Sequence, residues 1–369
     1  MDRAEGKGER PMKILKKSRS LDPNPVMKVQ TARELSRAEL KKLHPKEETL
    51  TERQKSEALA YWRKYTRVDD AGWTDFYHHH TGVYDPRFVP HDIFYAEIDR
   101  VLNPPYLAVG LEDKILYPRL FPGIRQPKIL ISKANGALWN EEGEPLTENQ
   151  AMELCRREER VVCKEPIYSC GGHGVRLFDV SRQEEELRKV FGRYDRLLVQ
   201  PVVCQHEAMK EFNPTSLNTL RLMTYLRECG ESVLISQVLR MGSVGAVVDN
   251  ISSGGCSCGI LPDGRLKAYG YSSRAERIAA HPGGTVFEGK RIPGYDEAVR
   301  QVRRLHRLLP QFGLLAWDIA IDGQGSPVLI EVNIGNASID FMQLNNGPLF
   351  GEYTEEILGR VYREPLTDG

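Results

Sequence analysis

The stretch that most constrains this chain is Leu314–Asn333, LLAWDIAIDGQGSPVLIEVN. Two apolar runs flank Asp322-Gly323-Gln324-Gly325, turn residues that reverse a strand, so the stretch reads as a tight β-hairpin. Side chains alternate faces along a strand. That puts Ala316, Asp318 and Ala320 on one side of the first strand, and Leu329, Glu331 and Asn333 on one side of the second. Folding symmetrically about Gln324 and Gly325 sets Asp318 directly opposite Glu331. Two carboxylates facing each other weaken a sheet. In otherwise apolar strands they call for a compensating cation. Together with an amide oxygen they form a hard, all-oxygen set suited to Mg2+. The plainer reading has both acids lining a solvated sheet face.

Composition narrows the partners. Lys plus Arg and Asp plus Glu balance at 51 each in 369 residues, so no global field points to nucleic acid. The length allows two or three packed units, and 40% hydrophobic with 28% charged residues is ordinary for a globular protein. No apolar run reaches the ~18 residues of a membrane span, and the basic N-terminus lacks the apolar stretch of a secretory signal. The seven cysteines are odd in number, and Cys256-Ser257-Cys258 is too closely spaced for a zinc pair. They read as reduced thiols of a cytoplasmic protein. His78, His79 and His80 are consecutive and do not converge on one ion in either a helix or a strand.

Along the chain, residues 1 to 25 are polar and basic, the composition of a flexible tail. Helices are expected at Thr31–Leu43, Thr51–Tyr65 and Leu111–Phe121. Strands and helices then alternate. Strands are expected at Pro127–Ser132, Arg160–Glu165, Val175–Val180, Arg196–Val203, Leu220–Leu226 and Ser232–Arg240. Helices are expected at Glu148–Arg157, Gln183–Phe191 and Gly294–Leu309, the last with a buried stripe of Ala298, Val302, Leu305 and Leu309. Lys164 lies on the Arg160–Glu165 strand, which leads into the loop 169-SCGGHG-174. Its glycines let backbone N–H groups approach a phosphate closely. It is neither a P-loop nor a dinucleotide fingerprint, because a strand follows it instead of a helix. The pattern fits a lid over a triphosphate, with Lys164 pairing phosphate oxygens; a simple tight turn is the alternative.

Lys164 with its glycine loop, the strand ending in Gln200-Pro201-Val202, and Asp318 with Glu331-Val332-Asn333 together resemble the ATP-grasp superfamily. The resemblance is to its sugar-transfer associated branch, related to alpha-L-glutamate ligases. HEAMKEFNPTSLNTLRLMTYL, VVDNISSGG and LEDKILYPRLF, the last with Lys114, are similar to that branch as well. The resemblance runs from about residue 84 to 350. It implies an α/β (α+β) fold in which two α+β subdomains grip ATP behind a helical N-terminal extension. The expected division is 1–83 for tail and extension, 84–130 for a preceding segment, 131–199 for the lid, and 200–369 for the subdomain with the metal and substrate sites.

The resemblance further implies ATP and Mg2+ as cofactors. ATP would be held by Lys114, Lys164, Ser169, Gly171, Gly172, Gly174, Gln200, Val202 and Glu207. The metal would be held by Asp318, Glu331 and Asn333. Arg221 and Arg240 would stabilise the transferred phosphoryl group. Many ATP-grasp ligases carry an arginine two residues before the metal aspartate; here that position is Ala316, so the role falls elsewhere or is absent. Asn218, Asp249, Asn250, Asp340 and Gln343 are expected around the substrates, the last four on loops. The implied chemistry is an ADP-forming carboxylate–amine ligase acting through an acyl phosphate, in saccharide or natural-product biosynthesis. A kinase acting on a hydroxyl and a non-catalytic nucleotide binder are the alternatives. The partners would be ATP, a small carboxylic acid, and an amine such as an amino acid, an amino sugar or a carrier-bound group. The N-terminal extension is a candidate dimer arm or carrier-protein dock.

Overall fold

A computed structural model describes residues 25–43 (side chains from 31), 48–167, 174–246, 254–335 and 337–363. Its framework is two antiparallel sheets. The first contains β1 (Ile131–Ala134), β2 (Ala137–Trp139), β3 (Pro145–Leu146), β4 (Arg160–Lys164), β5 (Arg176–Asp179) and β6 (Leu197–Pro201), in the order β3-β2-β1-β6-β4-β5. The second contains β7 (Thr219–Leu226), β8 (Ser232–Met241), β9 (Cys256–Ile260), β10 (Leu266–Ser272), β11 (Arg277–Ile278), β12 (Leu314–Ile321) and β13 (Pro327–Asn333). Their order is β11-β10-β9-β8-β7-β12-β13. With helices packed on both, the fold is mixed α+β.

Helices Glu148–Cys155 and Glu184–Arg193 cover the first sheet, burying Met152, Cys155, Leu187 and Phe191 against Val161 and Phe178. Thr147 starts the former with a reciprocal capping box to Gln150. The centre of the second sheet, β7 and β12, is buried on both faces. Leu315, Trp317, Ile319 and Ile321 of β12 point to helix Tyr295–His306, where they meet Ala298, Val302 and Leu305. Leu314 and Ala316 point the other way, toward Ile357 and Leu358 of helix Thr354–Val361 and Phe94 of the segment before β1. Asp318 follows Ala316 on that second face, where the apolar core gives way to the cleft described below.

The β12–β13 hairpin pairs Ala316 with Asn333 and Asp318 with Glu331, then shifts register so that Ile319 faces Leu329. Ile330 is the extra residue of a β-bulge. The bulge corrects the expected alternation: Leu329 turns into the core beside Ile319, while Ile330 and Glu331 both face the cleft. The hairpin turn closes through Gly325 N–H donating to Asp322 O at 2.8 Å. Its tip seats on Gly294, which has φ +66° and where a Cβ would stand 2.2 Å from the Gly325 carbonyl oxygen.

Two further expectations change. The Leu111–Phe121 helix is broken into a short 3-10 turn, Val109–Glu112, and a helix at Tyr117–Leu120. Asp113 Oδ1 accepts the Ile115 N–H at 3.0 Å, an Asx turn that competes with the helix. Asp340 and Gln343 lie on a helix, Ile339–Asn346, rather than on loops. The N-terminal helix spans Pro25–Leu43, and the next, Glu52–Trp62, starts from an N-cap at Thr51. The described cysteines are free thiols. No described helix is long and apolar enough to cross a membrane.

Candidate active site

The two sheets face each other across a cleft of about 1080 Å³. The first sheet contributes Val162 and Lys164 of β4, Leu177 of β5 and Gln200 of β6, with Val175 and Val202 beside them. The second contributes Arg221 of β7, Arg240 of β8, Asp318 of β12, and Ile330, Glu331 and Asn333 of β13. Lys114 enters from the segment before β1.

Strand register brings the charges together. Arg221 is the direct cross-strand partner of Asp318, and Arg240, opposite Thr219, reaches Asp318 diagonally. Arg221 Nε and Nη2 lie 2.5 and 3.0 Å from the two Asp318 oxygens, and Arg240 Nη1 lies 3.0 Å from Oδ2. Arg221 Nη1 also donates to Ala337 O at 2.9 Å. Asp318 is only 5% exposed. Burial by itself would push its pKa up; Arg221 and then Arg240 outweigh that and hold it below the ordinary carboxylate value.

Glu331 has a different partner. Lys114 Nζ is 2.6 Å from Glu331 Oε1 and is itself buried. The segment around Lys114 grips β13 from behind. Glu112 Oε1 accepts the Ile334 N–H at 2.8 Å, and the Tyr117 hydroxyl accepts the Val332 N–H at 3.1 Å. Lys164, also buried, has its pKa lowered to about 8, by burial first and by the neighbouring Lys114 second, against the pull of Glu331. Two lysines therefore converge on Glu331 from separate elements.

The remaining sequence candidates divide. Gln200 and Val202 line the cleft, and Gln200 Nε2 donates to Pro127 O at 3.0 Å. Asp340 lines it too, with a pKa raised by burial against the first-turn N–H groups and Arg221. Gly174, shortly before β5, adopts φ +80°; Ser169, Gly171 and Gly172 lie outside the described residues, as do Asp249 and Asn250. Glu207 is turned to solvent and pairs with Lys210 at 2.6 Å; Lys210 is the one that lines the cleft.

Asn218 and Gln343 do not reach the cleft. Asn218 Nδ2 is spent on Gln205 Oε1, Met209 O and Asn213 O, each at 2.9 Å. Gln343 Oε1 accepts from Val89 N at 2.8 Å and Leu349 N at 3.2 Å, and its Nε2 donates to the Tyr77 hydroxyl at 2.8 Å and Val89 O at 3.0 Å. Both are fully buried and hold loops together. Sequence reasoning missed Ile330, Phe341, Arg274, Glu39 and Lys42, all of which line the cleft. None carries a local spacing signal; the fold brings them in from distant segments.

Two carboxylates and an amide on facing positions of β12 and β13 have the donor chemistry of a Mg2+ site. In this arrangement the Asp318 oxygens take guanidinium N–H donors and one Glu331 oxygen takes an ammonium. A cation bound there would replace those donors, which then become available to phosphate.

Comparison with solved structures finds similar folds at low identity. The ATP-grasp ligase PsnB, solved with its minimal precursor, is 11% identical with a TM-score of 0.40, over 70% of this chain and 64% of that one. The D-alanyl-alanine synthetase A of Vibrio cholerae is 13% identical with a TM-score of 0.40, over 69% of this chain and 66% of that one. The VanG D-Ala:D-Ser ligase of Enterococcus faecalis is 12% identical with a TM-score of 0.39, over 68% and 60%. The chain thus spans two thirds or less of each of these proteins, and the likeness is one of fold. No curated protein matches the chain in sequence. A family model matches residues 94–357, well over half the chain, and by that match the protein belongs to the sugar-transfer associated ATP-grasp family.

Proposed function

We propose that the cleft binds Mg·ATP and that the protein is an ADP-forming ligase joining a carboxylic acid to an amine. The observation that carries this reading is the convergence of Lys114, Lys164, Arg221 and Arg240 on Asp318 and Glu331 in one cleft between two sheets. Cations outnumber carboxylates at this focus, which suits a polyphosphate. Val162, Val175, Leu177 and Val202 offer an apolar slot for the base.

Lys114 and Lys164 bind phosphate oxygens from two sides. Asp318, Glu331 and Asn333 would hold Mg2+, which neutralises charge on the phosphates when bound. Arg221 and Arg240 serve the phosphoryl group in transfer. They enter from β7 and β8, which compensates for Ala316 standing where an arginine is usual in such ligases. A substrate carboxylate oxygen attacks the γ-phosphorus as the bond to the bridging oxygen breaks, and ADP leaves. The amine then attacks the acyl carbon, loses a proton and expels phosphate. Neither step needs a covalent enzyme intermediate; positioning and charge stabilisation suffice.

The test is a hydroxamate assay with Mg·ATP, hydroxylamine and a panel of amino acids, uronic acids and small carboxylic acids, with ADP and AMP resolved. Hydroxamate together with ADP is the expected result. AMP as the product would overturn the reading, and ADP with a stable phosphate ester would make the protein a kinase.

A further inference from the structure

The cleft extends past Arg221 to an end built partly from outside the family match. Three elements meet there around Trp73, Phe76, Tyr77 and Phe88. Helix Pro25–Leu43 packs Leu40 and Leu43 onto this cluster, β10 contributes Tyr271 and the turn after it Ala275, and helix Ile339–Asn346 contributes Leu344. The residues beside these anchors face the cleft: Glu39 and Lys42, Arg274, and Asp340 with Phe341.

The wall is fixed in place. Ser36 is fully buried, accepting from Trp73 Nε1 at 3.1 Å and lying 3.1 Å from His91 Nδ1. Arg33 pairs with Glu97 at 2.5 Å. Ala275 holds φ +61°, and its N–H donates to Ser272 O at 3.0 Å, so a strained turn presents Arg274. Lys42 is 74% exposed and reaches Glu39 only at 3.8 Å, a contact too weak to exclude a competing anion.

We propose that this end is the acceptor site of the ligase and that it selects a zwitterionic amine, one that carries an anionic group. The inference rests on the ligase reading. An attacking amine must lie close to Arg221 and Arg240, where the acyl phosphate forms. Asp340, in the first turn of helix Ile339–Asn346 and lining this end of the cleft, binds the ammonium and takes the proton that must leave. The anionic group then points outward to Lys42 and Arg274 at the rim. The N-terminal helix, which precedes the matched residues 94–357, thus contributes to acceptor choice.

The experiment is competition in the hydroxylamine assay, using the acid that supports hydroxamate formation. Glycine, L-glutamate, glycinamide, ethylamine and ethylenediamine are added as rival nucleophiles, and suppression of hydroxamate is measured. An amino acid is expected to compete at least about tenfold better than glycinamide or ethylamine, the scale of one well-placed charge contact. The double variant Lys42→Ala/Arg274→Ala should cut that ratio to about threefold or less. Lys42→Glu/Arg274→Glu should shift preference toward ethylenediamine. The ratio is internal to each variant, so a change in overall rate does not affect it, and both positions are exposed. Equal competition by neutral amines in the wild type overturns the proposal, and so does an unchanged ratio in the variants. Hydroxamate formation with no amino-acid competition overturns it while leaving the ligase reading standing; absence of hydroxamate removes both.

Discussion

Asp318 faces Glu331 across the β12–β13 hairpin, yet each carboxylate is answered by a cation from elsewhere: Arg221 for Asp318, Lys114 for Glu331. The repulsion in the hairpin is therefore relieved by two side chains suited to phosphate binding. Glu331→Gln keeps the shape but leaves the buried Lys114 without its counter-charge. It should lower ATP-dependent turnover on the order of 10²–10³-fold, the scale for losing one stabilising electrostatic contact. It should also cost about 1–3 kcal/mol of stability. Steady-state ADP release and urea unfolding measure the two; unchanged turnover would take Glu331 out of the catalytic machinery.

Arg221 and Arg240 should separate by stability. Arg221 makes the bidentate pair, and both its side chain and that of Asp318 are almost wholly buried, at 6% and 7% exposure. Arg221→Ala should cost about 3–5 kcal/mol, since it strands most of a buried charge. Arg240→Ala leaves that pair intact and should cost less, while still lowering the rate of phosphoryl transfer. Because Asp318 has a depressed pKa, its contribution is present above the unfolded value of about 3.9 and is lost as pH falls through the lower folded value. In Arg221→Ala that depression is lost or reduced, so the part of the acid-induced loss carried by Asp318 should shrink, giving unfolding midpoints that depend less on pH between pH 3 and 6 when read at ~0.5-unit steps.

Gln343 is expected to matter for stability and not for substrate. Gln343→Leu would leave Val89, Tyr77 and Leu349 polar groups unpartnered in the core, at a cost of about 3 kcal/mol. Michaelis constants should stay at the wild-type values in whatever fraction remains folded. A raised KM with unchanged unfolding would restore the substrate assignment.

The hairpin was legible because turn chemistry and strand alternation are both local, and Asp318 opposite Glu331 follows from them. The bulge at Ile330 was not, since it is set by Leu329 packing beside Ile319 rather than by any turn signal. Helix Ile339–Asn346 was hidden for a related reason. Phe341, Met342, Gln343, Leu344 and Asn345 are all buried, so no apolar stripe of period 3.6 exists to be read. Its N-cap Ser338 sits at φ +54° without a capping bond, so the usual start signal is silent as well. Lys114 meeting Glu331, and Lys42 reaching the cleft, depend on contacts between distant segments. Resemblance put Lys114 at the nucleotide, and only the fold pairs it with Glu331 and brings Lys42 to the cleft.

Lys164 gives the sharpest pH test. Its pKa is lowered to about 8 by burial and by Lys114, against about 10.4 in an unfolded chain. Between those values the unfolded state binds more protons, so stability should rise with pH across that window. Below about pH 8 the full penalty of burying the charged amine applies, about 3 kcal/mol. Lys164→Met removes the penalty and should unfold at higher urea than the wild type at pH 7, with the gap closing toward pH 10. Nucleotide binding should run the opposite way. A triphosphate needs the ammonium, so Mg·ATP affinity of the wild type should weaken as pH rises through about 8. In Lys164→Met it should be weak and flat over the same range. Calorimetric titration at pH 7, 8 and 9 reads it directly, and a pH-independent wild-type affinity would take Lys164 off the phosphates.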